Sequence, residues 1–248
     1  MVHMNRLPLE TLAEDAEIRF RDCLSVRYIQ SAALLCRLGH SIENEYKKTG
    51  TISAESSLMH EAFILNSLLS SVAFLESTVN ELYSDAADNT FLLPDEVKEK
   101  VFRAIAGLWK NEKNFDRAPL ITRYQKILTI TGREPFSDTD PAFVNVRNLI
   151  EVRNFLLHYR REWVVLTKGI KGGRRDATHT AALENRLRHA FRENPLARRN
   201  QPFFPDRCLG HGCAEWAVIN SLVLTDEFFS RLNIPAPYDG IKKELSTR

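Results

Sequence analysis

The stretch VRNLIEVRNFLLHYR, Val146 to Arg160, contains Val-Arg-Asn twice, six residues apart, and runs into a histidine. Its apolar residues recur at helical spacing rather than in alternation. Asp140-Pro141 upstream supplies an N-cap and a first-turn proline, so the spacing predicts one helix from Asp140 to about Trp163. At about 100° per residue, Val146, Leu149, Ile150, Leu156 and Leu157 share a broad inward face. Arg147, Glu151, Asn154, His158 and Glu162 form a polar stripe beside it. Six residues turn the helix by about 240°, so the two arginines point to different sides. Arg147 lies on the polar stripe and needs no special role. Arg153 lies in the middle of the apolar face, where a guanidinium without a partner is costly.

Working outward, the first two-thirds of the chain is poor in Gly and Pro and keeps the helical period. The pattern predicts a long helix from about Leu9 to Lys48, with Gly39 as a break and Gly50 as its end. Ser53 caps a second helix reaching about Ala87. Pro94, Asp95 and Glu96 open a third over roughly 94–110. Pro119 to Thr131 is a shorter one, stopped by Gly132, and a last helix runs from about Cys213 to Leu232, ended by Asn233 and Pro235. Nothing reads as a sheet, so the expected fold class is all-α.

The second helix carries the counterpart of Arg153. In LNSLLSSVAFLESTVNELY, Leu65, Leu69, Val72, Val79 and Tyr83 form an apolar stripe with Glu76 inside it. A buried carboxylate requires a cation or a raised pKa. Glu76 and Arg153 have opposite signs, and each lacks a partner on its own helix. The simplest arrangement packs the two helices so that the charges meet, and an ordinary structural ion pair is the plainest reading of it.

Arg153-Asn154-Phe155-Leu156-Leu157-His158 resembles the R-N-x-x-x-H form of the HEPN superfamily, helical domains of prokaryotic ribonucleases, toxins and defence proteins. The resemblance spans roughly residues 50–165 and includes the acidic residue of an upstream amphipathic helix, matched by Glu76. It implies a helical bundle preceded by a long N-terminal helix at 1–50, with a core at 51–165. A basic, loop-rich insertion at 166–207 and a completing helix at 208–248 follow. It also implies a metal-independent, cofactor-free endoribonuclease that leaves a 2′,3′-cyclic phosphate at a homodimer cleft. In such an enzyme His158 is the general acid/base, Arg153 the phosphate clamp, Asn154 a positioning residue, and Glu76 the group that orients Arg153. The residue types suit the reaction. RNA carries its own 2′-hydroxyl nucleophile, an imidazole moves protons near neutral pH, and a guanidinium donates to phosphate oxygens as a fork. Five residues put Arg153 and His158 about 140° apart on an ideal helix. They converge only if the arginine wraps round or a partner subunit completes the site. The alternative expectation is a non-catalytic HEPN-like dimeric module that binds RNA, nucleotide or protein.

Residues 168–199 hold nine Lys or Arg against three Asp or Glu, a local excess of +6. This stretch reads as an exposed basic insertion with a short helix at 181–193. Arg160 and Arg161 at the end of the preceding helix, with Lys171, Arg174 and Arg175 of the insertion, are the candidate phosphate contacts, against the plainer reading of a solvated loop. Cys208-x-x-His211-x-Cys213 offers three candidate zinc ligands without a second ligand pair, and is read instead as a glycine turn at Gly210 and Gly212 opening a buried helix anchored by Trp216. His179, His189 and His211 are read as surface or turn residues.

Composition sets the outer bounds. A net charge of +2 demands no acidic partner, so electrostatic arguments are local. Four scattered cysteines fit a reducing compartment. No N-terminal signal peptide and no stretch near the ~20 apolar residues of a membrane span is evident. The expected setting is therefore cytoplasmic and off the membrane, with RNA, a second copy of the chain, and an antitoxin or defence-system protein as partners.

Overall fold

The computed structural model describes residues 22–88, 96–111, 117–159, 164–165, 174–175 and 178–248. Among these residues seven α-helices carry the fold: α1 (Leu24–Thr49), α2 (Ala54–Asp88), α3 (Glu96–Asn111), α4 (Leu120–Ile130), α5 (Pro141–Leu157), α6 (Thr178–Leu187) and α7 (His211–Leu232). A two-residue antiparallel pair, β1 (Val164–Val165) with β2 (Arg174–Arg175), is the strand structure among the described residues, and it was not expected from the sequence. The fold is all-α.

α1 and α2 form the spine. Gly50 ends α1 at φ 70°, a left-handed conformation that glycine adopts without a Cβ penalty. The Ser53 hydroxyl then accepts from the Ser56 amide at 3.0 Å and opens α2. The hairpin register is marked by contacts roughly equidistant from that turn: Glu43 with His60, Gly39 with Ile64, and the Ser67 hydroxyl on the Ala32 carbonyl. Gly39 does not break the helix. A Cβ there would meet Ile64 Cδ1 at 2.6 Å, so the glycine is a point of close helix approach. At the far end Glu81 of α2 caps α1, accepting from the Leu24 and Ser25 amides and the Ser25 hydroxyl. Residues 9–21 of the expected first helix lie outside the described residues.

α7 packs on α1, α2 and α5, and α4 seats on α2 through Tyr124, whose hydroxyl donates to the Leu75 carbonyl at 2.8 Å. One core cluster runs through every one of these helices, with Tyr124 edge-on to Phe228 and Phe74 edge-on to Tyr238. α2 contains a window with mean hydropathy 1.5, long and apolar enough by composition to cross a membrane, which corrects the reading that no such stretch exists. Half of that window is buried inside the protein, as the core helix of a bundle also requires.

α5 begins as expected at Pro141, but Asp140 makes no side-chain cap bond. Its Oδ2 instead accepts from the Ser137 amide and from Arg231. The helix ends at Leu157, short of the expected Trp163, and His158 is its C-cap residue. In β1, Val164 pairs with Arg175. The insertion is also less loose than its charge suggests. α6 spans Thr178–Leu187 rather than 181–193, and it buries Leu183 and Leu187.

A candidate phosphate site between α2, α4 and α5

Glu76 projects from the middle of α2 toward the last turns of α5, and its Oε2 lies 3.7 Å from Arg153 Nη2. The expected meeting of the two charges is present. Neither group is fully buried: the Glu76 side chain is 46% exposed and Arg153 24%. The inward face of α5 consists of Phe143, Val146, Leu149 and Val152, and Leu157 is 55% exposed rather than inward. Arg153 therefore sits at the edge of the core, where its long stem is covered and its head reaches an open carboxylate.

The residue that sequence reading missed is Arg123 on α4. Its side chain is 3% exposed, its Nη2 donates to Glu76 Oε1 at 3.2 Å, and its Nη1 donates to Asn80 Oδ1. Its Nε is buried with no acceptor among the described residues. A signal for it exists in LITRYQKILTI: Leu120, Arg123, Tyr124, Ile127 and Leu128 are the buried positions of α4, a helical stripe with a charge inside it. One carboxylate thus serves two guanidiniums, and the cluster keeps an excess positive charge beside an open edge. Arginine is suited to that position because it stays charged and donates in several directions.

His158 follows at the end of α5. Its amide donates to the Asn154 carbonyl at 2.9 Å, while its side chain is exposed. Among the described residues no hydrogen bond joins the imidazole to Arg153, Glu76 or Arg123. Asn154 is exposed one turn earlier. Arg147, the first-copy arginine, pairs with Asp138 on the surface and stays away from the site. Beside the helix end lies a groove of about 700 Å³, walled by Leu65 and Leu69 of α2, Leu156, Leu157 and Tyr159, and by Phe204.

Among the basic candidates, Arg160, Arg161 and Lys171 lie outside the described residues. Arg174 and Arg175 form β2. Further along, two of the arginines are paired with residues of the bundle or of their own helix. Arg186 donates to Asn148 at 3.0 Å and pairs with Glu151, and Arg188 pairs with Glu184 at 3.2 Å. α6 is thus packed structure, which corrects the picture of one solvated basic loop.

The remaining motif also differs from expectation. Cys208 and Cys213 are buried, and burial pushes the Cys213 thiol well up. His211 is buried rather than on the surface, its Nε2 3.0 Å from the Thr247 carbonyl, whereas His189 is exposed. No group of three His, Cys, Asp or Glu among the described residues is arranged to hold a metal ion. No protein-family model matches the chain, and neither a curated protein nor a solved structure matches it.

Proposed function

We propose that the chain is a metal-independent endoribonuclease of HEPN type, acting as a homodimer, with a toxin or defence effector as its biological class and the cytoplasm as its setting. The observation that carries this reading is the Glu76 carboxylate shared between Arg123 and Arg153. The shared carboxylate leaves a net cationic edge at the end of α5, five residues from an exposed histidine. In this reading Glu76 and Arg123 fix the Arg153 guanidinium, and Arg153 donates to the scissile phosphate. His158 moves the proton between the 2′-hydroxyl and the leaving 5′-oxygen, and Asn154 positions the strand. The distance left between His158 and the arginines is filled by RNA or by the second subunit. An antitoxin or another defence-system protein is the partner class that fits such an activity.

The test is cleavage of mixed-sequence RNA by the purified chain in EDTA, beside His158→Ala and Arg153→Ala. Loss of cleavage in both variants, with folding and assembly intact, supports catalysis. Equal cleavage by wild type and His158→Ala overturns it. A second reading draws on the apolar groove walled by Leu156, Leu157 and Tyr159. There the chain is a non-catalytic module binding RNA, nucleotide or protein, and the arginine–glutamate cluster is structural. Unfolding of Arg153→Ala, with no cleavage by wild type, favours that alternative.

A further inference from the structure

A second cavity, of about 610 Å³, lies between α1, α7 and the turn after α6, and owes nothing to the motif of α5. α1 contributes one face at helical spacing, His40, Glu43, Asn44 and Lys47, and α7 contributes His211, Glu215, Trp216 and Ile219. The third wall is the turn after α6, including Phe191 and Arg192. Two glycines let that turn lie directly on the first turn of α7. A Cβ on Gly212 would meet the Arg192 carbonyl oxygen at 2.3 Å, and one on Gly210 would meet Asn194 Cα at 2.7 Å. The Gly210-x-Gly212 pair is therefore a requirement for close approach, and it builds the cavity wall.

The charges in this cavity are unevenly satisfied. Each of its carboxylates is committed within the protein. Glu43 accepts from His60 and from the His211 amide, Glu193 takes Arg207 at 2.7 and 2.9 Å, and Glu215 takes Arg248 at 2.7 and 2.9 Å. Lys47 and Arg192 have no carboxylate partner among the described residues. The wall between them is aromatic, Phe191 lying 5.4 Å from Trp216 between ring centroids. Trp216 is 6% exposed, and its indole N–H is buried without an acceptor among the described residues.

We propose that this cavity binds a nucleoside monophosphate, with its phosphoryl group toward Lys47 and Arg192 and its base against the Phe191–Trp216 wall. The volume falls in the range of small-molecule sites, about 300–1,000 Å³. His40 adds an adaptable contact. The Thr247 carbonyl only accepts, so His211 carries its hydrogen on Nε2 and its Nδ1 accepts from His40 Nδ1 at 3.3 Å. His40 Nε2 is then the free ring nitrogen. Burial, with His211 and Lys47 adding to it, holds His40 below its ordinary pKa, and a bound phosphate reverses that direction by favouring the charged ring.

Isothermal calorimetry of the full chain with AMP, GMP, CMP and UMP tests this, with inorganic phosphate and adenosine as separate arms. At least one nucleotide binds. Phosphate alone and adenosine alone each bind about tenfold more weakly or worse, and the exposed-site double variant Lys47→Ala/Arg192→Ala weakens the nucleotide by about tenfold or more. Phe191→Ala removes the more accessible aromatic face of the wall and also weakens binding, and His40 ring resonances titrate at higher pH in the complex. No nucleotide binding at millimolar concentration overturns the proposal, as does unchanged affinity in the double variant or equal affinity for phosphate alone. Loss of binding in His158→Ala overturns it too, because the nucleotide then sits at the α5 site. RNA cleavage is a separate readout and stands or falls independently.

Discussion

Glu76 and Glu43 are both glutamates on the spine helices, both accept from cationic or titratable neighbours, and they are satisfied in opposite ways. Glu43 is closed in: its side chain is 4% exposed, and Oε1 takes His60 Nε2 at 3.0 Å and the His211 amide at 2.6 Å. Its partners close the network and fasten α1 to α2 and to the start of α7. Glu76 is half open and holds two guanidiniums that cannot give up their charge. The first arrangement is a knot in the core. The second leaves an unbalanced cation at the surface, which is the property a phosphate-handling site needs. Exposure of the shared carboxylate, more than the presence of an ion pair, separates the two.

The largest expected effect is on the closed network. Glu43→Ala strips the acceptor from a buried histidine and a buried amide, and should lower unfolding free energy in urea by about 3–5 kcal/mol. A loss below about 1 kcal/mol would mean the two regions do not differ as described. Next comes Arg123→Ala, which removes a buried guanidinium and its bonds to Asn80 and Glu76. It should cost about 1.5–3 kcal/mol. A double-mutant cycle with Glu76→Ala should return a coupling of about 0.5–3 kcal/mol, and a coupling near zero would dissolve the shared cluster.

A smaller effect is tied to pH. Bonds from Arg248 hold Glu215 below its ordinary value of 4.5, helped by Thr247 and opposed by burial. A carboxylate with a depressed folded pKa contributes its stability above the unfolded value and loses it as pH falls through the folded one. Acidification below 4.5 should therefore loosen residues 244–248 first, seen as lost amide protection at Arg248 relative to its intrinsic exchange rate, and Glu215→Gln should be loose at neutral pH already. The smallest effect is predicted for His158→Ala. An exposed C-cap side chain without partners among the described residues should leave the urea midpoint nearly unchanged, within about 0.5 kcal/mol in stability, while any RNA cleavage disappears.

Much of the architecture could be read directly from the chain. Gly50, Ser53, Pro141, Gly132 and Asn233 mark helix ends through local backbone preferences that need no tertiary partner, and the helices begin or end beside them. The Glu76–Arg153 contact was legible for a related reason, since a charge inside an apolar stripe must find its opposite on a neighbouring helix. The same argument applied to α4 and α1 would have exposed Arg123 and Glu43, which also sit in buried stripes.

Other features depend on which surfaces meet. No glycine or proline announces the end of α5 at Leu157. Gly39 looks like a helix breaker in one dimension and is a contact point in three, because only the packed Ile64 reveals the missing space. His211 looks like a turn residue until the Thr247 carbonyl and His40 are seen around it. By itself the sequence determined the helices, their order and the presence of unmatched charges, since these follow from short-range periodicity and side-chain chemistry. Only the tertiary structure decided which charges share a partner and which are sealed from water, because burial and distance are properties of helices packed together.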